Sequence, residues 1–317
     1  PFHVRRIVAQ AAQVPVRKIR VIKPRIGGGF GNKQEVLEDL VALLCLRARR
    51  PVKLEYTRAE EIVSSRTRHP SVVRVRLGLS RDGELQALDM RARTNTGAYG
   101  SHALTVVCNC GAKTLPLYRT DNIAFHGDSV YTNLPVAGAY RGYGGTKAAF
   151  GLEVAMDEAA RELQMDPVDL RRKLHIREGE TSPVFRALGE GKEGVGQRIG
   201  SCGLDRCLDL GAEAIGWADR PAPGDGGRYR RGFGMCALMQ GSSIPEIDMA
   251  SASMKMNEDG SFNLLLGATD LGTGSDTVLA QIAAEAVGTT LEKVLVYSSD
   301  TDLTPFDVGA YASSTTY

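Results

Sequence analysis

The chain has 317 residues, a net charge of +2, 43% hydrophobic residues and 24% charged residues. This balance is typical of a globular protein with a core, and the near-neutral charge gives no electrostatic reason to expect nucleic-acid binding. No apolar run approaches the roughly 20 residues that a membrane span needs, and six cysteines without a Cys-x-x-Cys pair predict reduced thiols and a cytoplasmic location.

In the first half of the chain, apolar residues recur with either the helical period or the alternation of a strand. In chain order we predict a helix over 2–13, a strand over 18–26, a helix over 34–49, a strand over 51–56, a short helix from 57, strands over 71–79 and 84–94, and a strand over 123–131. The turn Arg81-Asp82-Gly83 joins 71–79 and 84–94 into a hairpin. Residues 95–120 carry no clear pattern.

The second half mixes the same two patterns. It predicts helices over 146–163, 166–176, 204–217 and 275–287, strands over 232–238 and 291–297, and a hairpin of 250–256 with 261–267. Helices and hairpins in this order favour an α+β fold over a doubly wound parallel sheet. We predict a first domain over 1–218 with a linker-like loop at 178–203, a Pro/Gly/Arg-rich boundary at 219–231, and a second, truncated domain over 232–317.

Three glycine clusters each precede a predicted helix, at 27–31, 142–145 and 272–274. Glycine lets backbone N–H groups approach an anion, and a helix N-terminus adds a favourable dipole. Taken singly, each cluster is better explained as an ordinary tight turn, but three in one chain favour a site for a phosphate- or pterin-type ligand. The first cluster is neither a P-loop nor a dinucleotide fingerprint, because Asn32 stands where those motifs need another residue type. We expect the three clusters to converge on one cavity.

Five segments carry the most specific pattern: RIGGGFGNK at 25–33, AYRGYGG at 139–145, DPVDLRRK at 166–173, and the loops at 269–274 and 311–316. In this order they resemble the motifs of the xanthine dehydrogenase/aldehyde oxidase family of molybdenum hydroxylases. The sequence is most similar to molybdenum-binding subunits of bacterial xanthine dehydrogenase-type enzymes. The resemblance implies the molybdopterin-binding architecture of that family over essentially the whole chain.

The resemblance also implies the cofactors and partners. Molybdenum is held by molybdopterin, with the cytosine dinucleotide form left open, and no side chain ligates the metal. This agrees with five histidines that lie at no metal-ligand spacing. Electrons would pass to Fe–S clusters and FAD on partner domains or subunits, beside the remaining part of the molybdenum subunit. The substrate would be a small heteroaromatic molecule or an aldehyde, and no nucleic acid or membrane is expected as a partner.

Site residues follow from the same matches. The implied cofactor-binding residues are Gly28, Gly29, Phe30, Arg141, Gly272, Thr273, Gly274 and Ser313, and the implied substrate residues are Gln34, Tyr143 and Ala312. Phe30 matches the aromatic above the metal, and Tyr143 matches the aromatic that contacts a planar substrate, with a merely packed loop aromatic as the alternative. No catalytic residue is assigned, because the resemblance places the base in a C-terminal Gly-Glu segment outside this chain.

Departures from the family pattern bear on the substrate. Purine-oxidising members carry glutamate where this chain has Gln34, and a substrate-binding arginine would fall at Asn109 or Cys110. A pocket without these charges is predicted to suit xanthine less well than a less oxidised heterocycle.

The sequence thus predicts the molybdopterin-binding part of a molybdenum hydroxylase that oxidises a C–H carbon of a purine or other N-heteroaromatic, with water as the oxygen source. An aldehyde-oxidising member, a non-catalytic assembly or binding subunit of the same fold, and an unrelated glycine-rich nucleotide-binding protein are the alternatives.

Overall fold

A computed structural model describes residues 1–34, 37–221, 228–229, 231–244 and 247–316. The chain forms two compact units. Unit 1 comprises Pro1–Arg66 and Gly241–Tyr317, and unit 2 comprises Thr67–Gln240. Unit 1 therefore combines two segments that are far apart in the sequence, so a single cut of the chain cannot separate the two units. The predicted split into 1–218 and 232–317 stays a prediction, and most of its boundary, at 222–227 and 230, lies outside the described residues.

The helices are α1 (Phe2–Ala12), α2 (Glu38–Ala48), α3 (Arg58–Ser64), α4 (Ala103–Ala112), α5 (Gly145–Glu162), α6 (Pro167–Leu174), α7 (Pro183–Ala187), α8 (Leu204–Ile215) and α9 (Ser275–Val287). The strands are β1 (Ser71–Leu79), β2 (Leu85–Gly97), β3 (Ile123–Tyr131), β4 (Ala252–Met256), β5 (Phe262–Leu266) and β6 (Val294–Ser298). No helix in the described ranges is both long and apolar enough to cross a membrane.

The two units repeat one sheet arrangement. In unit 2, β1 and β2 form an antiparallel hairpin, and β3 pairs with β2 in parallel after the chain passes through α4. In unit 1, β4 and β5 form the hairpin, and β6 pairs with β5 in parallel after α9. A parallel neighbour requires a crossover connection, which the helix supplies in each case. Mixed sheets with helices confirm the predicted α+β class.

The core of unit 2 lies between its sheet and α5. One face of α5 is fully buried. It consists of four residues at a spacing of four: Ala148, Leu152, Met156 and Ala160. They pack with Leu88 and Met90 from β2, whose inward residues alternate along the strand. The spacing of four and the alternation of two are the periods of a helix face and a strand face. This packing fixes the start of α5, where the second glycine cluster lies.

A buried ion pair ties α6 to α5. Glu153 accepts hydrogen bonds from Tyr118 Oη at 2.5 Å and from Arg171 Nε at 2.8 Å. The backbone N–H of Ala237 also donates to this carboxylate, at 2.7 Å. Arg171 is fully buried and additionally contacts Asp157 at 2.8 Å. The carboxylate is therefore saturated by donors, which is the condition for a buried charge to be tolerated.

Three predicted strands are wrong. Residues 18–26, 51–56 and 232–238 form no strand among the described residues. In 18–26 only Ile22 pairs, through an isolated bridge to Asp300. The alternation is present and residues 299–301 lie alongside, with Lys23 N–H donating to the carbonyl of Ser299 and Thr301 N–H donating to the carbonyl of Val21, but this pairing is too short to count as a strand. The predicted helix 34–49 begins at Glu38, and its positions 35 and 36 lie outside the described residues.

Candidate functional site

Two of the three glycine clusters meet in unit 1. The N–H of Gly28 donates to the carbonyl of Leu271 at 2.6 Å. A Cβ at Gly272 would lie 2.8 Å from the carbonyl oxygen of Ile26 and 2.9 Å from the nitrogen of Gly28. Gly28 and Gly272 also have φ values of +95° and +92°, which glycine adopts without strain. The two loops, 25–33 and 269–274, therefore touch backbone to backbone, and a larger residue at Gly272 would collide with the backbone of the first loop.

Asp270 holds the second of these loops in shape. Its Oδ1 accepts hydrogen bonds from the N–H groups of Gly272, Thr273 and Gly274 at 2.8, 3.0 and 3.3 Å. Its Oδ2 accepts from the N–H of Asp276 at 3.1 Å. Burial opposes ionisation of Asp270, but the four backbone donors outweigh it and lower its pKa. An ionised aspartate at this point supports the start of α9 in the manner of a helix cap.

This arrangement corrects one physical expectation. The N–H groups of Gly272, Thr273 and Gly274 are committed to Asp270, so they do not act as donors to an external anion. The glycines instead give the loop its path and its closeness to Gly28. Sequence reasoning missed Asp270, although an aspartate two residues before Gly-x-Gly at a helix start is a recognisable capping pattern.

The surface around these loops offers polar groups without partners. The Oδ1 atom of Asn32 and the Oγ1 atom of Thr269 are buried, and neither has a hydrogen-bond partner in the part of the chain that the structure describes. A Cβ built at Gly27 or Gly274 would meet nothing within 4 Å. Buried polar atoms without partners are rare in folded proteins and indicate an absent ligand or water. The two loops therefore carry an amide oxygen and a hydroxyl without partners, together with two glycines that have open space beside them.

Phe30 is an apolar ring displayed at this surface. It is 60% exposed and has a left-handed φ of +50°. Its ring lies over Gly28, where a Cβ would come 2.7 Å from Cε2. A bulky residue in the left-handed region costs free energy, which is characteristic of residues held for a function.

The loop at 311–316 carries further strain. Ala312 and Ser313 are consecutive and both left-handed, with φ values of +52° and +56°. The carbonyl of Ala312 accepts a hydrogen bond from the N–H of Ser243 at 2.8 Å, and Ser243 itself has a φ of +68°. Each such residue costs about 1–3 kcal/mol, so the surrounding structure must hold the segment in place.

Gln34 is half-buried just after the first glycine loop. Its carbonyl accepts a hydrogen bond from Arg66 Nη1. Within the described ranges, no protein group bonds to its side-chain amide. An amide both donates and accepts hydrogen bonds but carries no charge.

The remaining cluster, at 142–145, lies in unit 2 and packs against α4. A Cβ at Gly144 would lie 2.4 Å from the carbonyl oxygen of Val106, and Gly142 and Gly144 have φ values of +66° and +82°. Arg141 is exposed at the start of this loop. Because this cluster belongs to the other unit, convergence of all three on one cavity stays a prediction.

The hydroxyl group of Tyr143 is fixed by a hydrogen bond. Its Oη donates to Glu190 Oε1 at 3.2 Å, and Asn109 Nδ2 donates to the same oxygen at 2.7 Å. Asn109 and Cys110, the positions at which the family resemblance expects an arginine, are 3% and 0% exposed. Neither side chain presents itself to a ligand. Glu190 was missed by sequence reasoning, because it lies in the loop predicted as a linker and no local pattern marks it.

A second set of polar groups lies buried on α4 and α5. Burial lowers the pKa of Lys147 to about 8 and raises the pKa of the Cys110 thiol to about 11. The Nζ atom of Lys147 is buried and has no hydrogen-bond partner among the described residues. The first turn of α5 therefore carries a buried amine that burial makes harder to protonate.

The described ranges hold no group of three or more His, Cys, Asp or Glu side chains arranged to bind a metal ion.

Comparison with known proteins supplies the remaining evidence. The sequence matches the family described as molybdopterin cofactor-binding domain over residues 1–174, and a second model of the same description over residues 210–317. It is 42% identical to a probable hypoxanthine oxidase of Escherichia coli K12, covering 100% of this chain and 33% of that protein. It is 41% identical to a putative xanthine dehydrogenase molybdenum-binding subunit of the same organism, covering 100% of this chain and 42% of that protein. The chain thus spans between a third and about two fifths of these relatives.

Solved structures show the same fold. Quinoline 2-oxidoreductase from Pseudomonas putida 86 superposes with a TM-score of 0.86 at 27% identity, covering 100% of this chain and 41% of that one. An aldehyde oxidoreductase from Desulfovibrio desulfuricans superposes with a TM-score of 0.78 at 26% identity, covering 93% of this chain and 32% of that one.

Proposed function

Because the chain belongs to the family of molybdopterin cofactor-binding domains, we propose that it is the cofactor-binding part of the large subunit of a molybdenum hydroxylase. The relatives that span the whole chain at more than 40% identity are a probable hypoxanthine oxidase and a xanthine dehydrogenase molybdenum-binding subunit. The enzyme would oxidise a C–H carbon of an N-heteroaromatic substrate with water as the oxygen source. Fe–S clusters and FAD on partner subunits or domains would receive the electrons.

The contact between the two glycine loops of unit 1 carries this proposal. A pterin presents hydrogen-bond donors and acceptors side by side along one edge. The loops offer a matching mixture, with the Asn32 acceptor, the Thr269 hydroxyl and open space beside Gly27. This fits a pterin better than a bare phosphate, which is an acceptor only. The scarcity of metal-ligating side chains in the described ranges also fits, because the pterin rather than the protein would hold the metal.

When bound, the molybdenum cofactor supplies the redox chemistry that accepts electrons from the substrate carbon. The chain's own residues bind, orient and exclude water. The exposed Phe30 ring would shield the reaction centre from water, and Ser313 would contact the cofactor. Tyr143 would offer a flat face to the substrate, with Ala312 as the floor of the pocket and Gln34 as a neutral hydrogen-bonding group.

The neutral amide at position 34 predicts substrate preference. On the full-length enzyme with its partner subunits, we expect hypoxanthine or a simpler N-heterocycle to be oxidised with a kcat/KM at least equal to that of xanthine. The name of the hypoxanthine oxidase relative supports this order. Gln34→Glu should raise kcat/KM for xanthine relative to hypoxanthine by about threefold to tenfold, since one hydrogen bond to a charged group contributes about 1.5–3 kcal/mol before desolvation is subtracted.

The measurement is kcat/KM across a panel of xanthine, hypoxanthine, quinoline and an aromatic aldehyde. Lys33→Gln, at the exposed neighbouring position, is the matched control. If xanthine is the best substrate and Gln34→Glu does not improve it, position 34 does not determine specificity. If an aldehyde is preferred over every heterocycle, the enzyme is an aldehyde oxidase. If the loaded complex oxidises none of them, the proposed activity is wrong. Mass spectrometry of the released cofactor distinguishes molybdopterin from its cytosine dinucleotide.

A further inference from the structure

Glu190 is a charged side chain at the centre of a hydrogen-bond network on Tyr143. One carboxylate oxygen, Oε1, accepts from Tyr143 Oη at 3.2 Å and from Asn109 Nδ2 at 2.7 Å. The same Asn109 nitrogen donates to the carbonyl of Thr105 at 2.9 Å. Asn109 is thereby fixed to its own helix, α4, and fixes Glu190 in turn. A hydrogen bond to an ionised acceptor is stronger than a neutral one.

The backbone presents Glu190 from a closed loop. Gly189 N–H donates to the carbonyl of Lys192 at 2.9 Å, and Gly194 N–H donates to the carbonyl of Arg186 at 2.9 Å. Gly191 is left-handed, with a φ of +80°, and a Cβ there would lie 2.5 Å from Leu104 Cδ2. The loop therefore packs on α4 at a glycine contact. Glu190 is held by its backbone as well as by its side chain.

Two further groups surround the Tyr143 ring. Lys113 Nζ lies 5.5 Å from the centre of the ring, within cation–π range. The ring of His102 meets it edge-on, with 6.3 Å between the ring centres. Burial lowers the pKa of Lys113, and the carboxylate of Glu190 opposes that shift. Glu190 thus supports both the hydroxyl of the tyrosine and the ammonium beside its ring.

We infer that Glu190 is a positioning residue that fixes the Tyr143 ring for contact with a planar substrate. The inference rests on the proposed function, in which Tyr143 contacts the substrate. A ring that is already fixed before binding loses less conformational entropy when the ligand binds. More of the free energy of the ring–ligand contact therefore contributes to the affinity. The benefit falls on substrate binding, while the chemical step is left largely unchanged.

The test uses the full-length enzyme with its partners and cofactor. Glu190→Ala should raise KM for quinoline and hypoxanthine about threefold to tenfold, the range given by an aromatic contact of 0.5–1.5 kcal/mol, while kcat changes by less than about twofold. Glu190→Gln should stay within about twofold of the unmodified enzyme, because an amide oxygen still accepts from Tyr143 and Asn109. Glu193→Ala is the matched control, since Glu193 lies exposed in the same loop.

A readout independent of turnover is the dissociation constant of quinoline, measured by calorimetry on the same variants. Tyr143→Phe, which removes the hydroxyl, should weaken binding alone but add nothing to Glu190→Ala, because the two residues act through one hydrogen bond. The assignment is overturned if Glu190→Ala matches Glu193→Ala, if it lowers kcat as much as it raises KM, or if the two substitutions add. An unmodified enzyme that neither binds nor oxidises any heterocycle overturns the proposed function and this assignment with it.

Discussion

Replacing Gly272 with alanine is expected to lower the pterin content of the purified full-length protein about tenfold or more. The new Cβ would lie 2.8 and 2.9 Å from backbone atoms of Ile26 and Gly28, so the two glycine loops of unit 1 would have to separate. Left-handed alanine costs about 1–2 kcal/mol, overpacking adds about 1–3 kcal/mol, and every 1.4 kcal/mol is tenfold in affinity. The measurement is the fluorescence of the pterin released and oxidised from equal amounts of protein.

Gly288→Ala separates crowding from backbone strain. Gly288 has a similar φ of +71°, but a Cβ there meets nothing within 4 Å. It ends α9, whereas Gly272 lies just before that helix begins. We expect this control to keep its pterin. Equal losses in the two variants would show that strain anywhere around α9 releases the cofactor, and the contact between the loops would then have no special role.

The second large effect is expected at the ion pair of unit 2. Glu153→Ala should destabilise this unit by about 3–5 kcal/mol, because Arg171 would be left buried without its main counter-ion. The remaining partner, Asp157, is half-exposed and cannot replace a carboxylate that accepts from Tyr118, Arg171 and the N–H of Ala237. Hydrogen exchange of peptides from α5 and α6 should accelerate about 100-fold or more, at 1.4 kcal/mol for each factor of ten.

Two variants check the cause of this effect. Asp157→Ala removes the half-exposed partner and should cost clearly less than Glu153→Ala, because Glu153 still pairs with the buried Arg171. The double replacement of Glu153 by leucine and Arg171 by methionine removes both charges, and should destabilise less than Glu153→Ala alone. If Glu153→Ala exchanges no faster than Asp157→Ala, the ion pair does not support the packing of α6 on α5.

Local periodicity predicted those elements in which the spacing of apolar residues alone shows which face is buried. Leu152 and Met156 mark the inner face of α5 at a spacing of four, and 71–79 alternates as a strand should. A glycine marks the turn of each of the two hairpins in the sequence. In the structure these residues, Gly83 and Gly260, have left-handed φ values of +78° and +76°. In each case the pattern lies within one short segment, so no knowledge of distant residues is needed.

What the sequence could not supply is pairing between distant segments. Residues 18–26 alternate like a strand, but the backbone of this segment pairs only over 21–23, and its partners, residues 299–301, lie far along the chain. The contact of Gly28 with Leu271 is likewise long-range. Family resemblance indicated that both glycine loops serve one cofactor. The capping pattern that marks Asp270 was overlooked, and no local pattern marks Glu190 as the residue that bonds to Tyr143. Their roles depend on groups that only the fold brings within hydrogen-bond distance.

Elemental analysis of the intact full-length protein, purified with its partner subunits, tests the central claim most directly. If the glycine loops at 25–33 and 269–274 form a molybdopterin site, the protein should contain close to one molybdenum per polypeptide, released together with a pterin on denaturation. A protein that is folded and complete but contains neither molybdenum nor pterin would contradict the account.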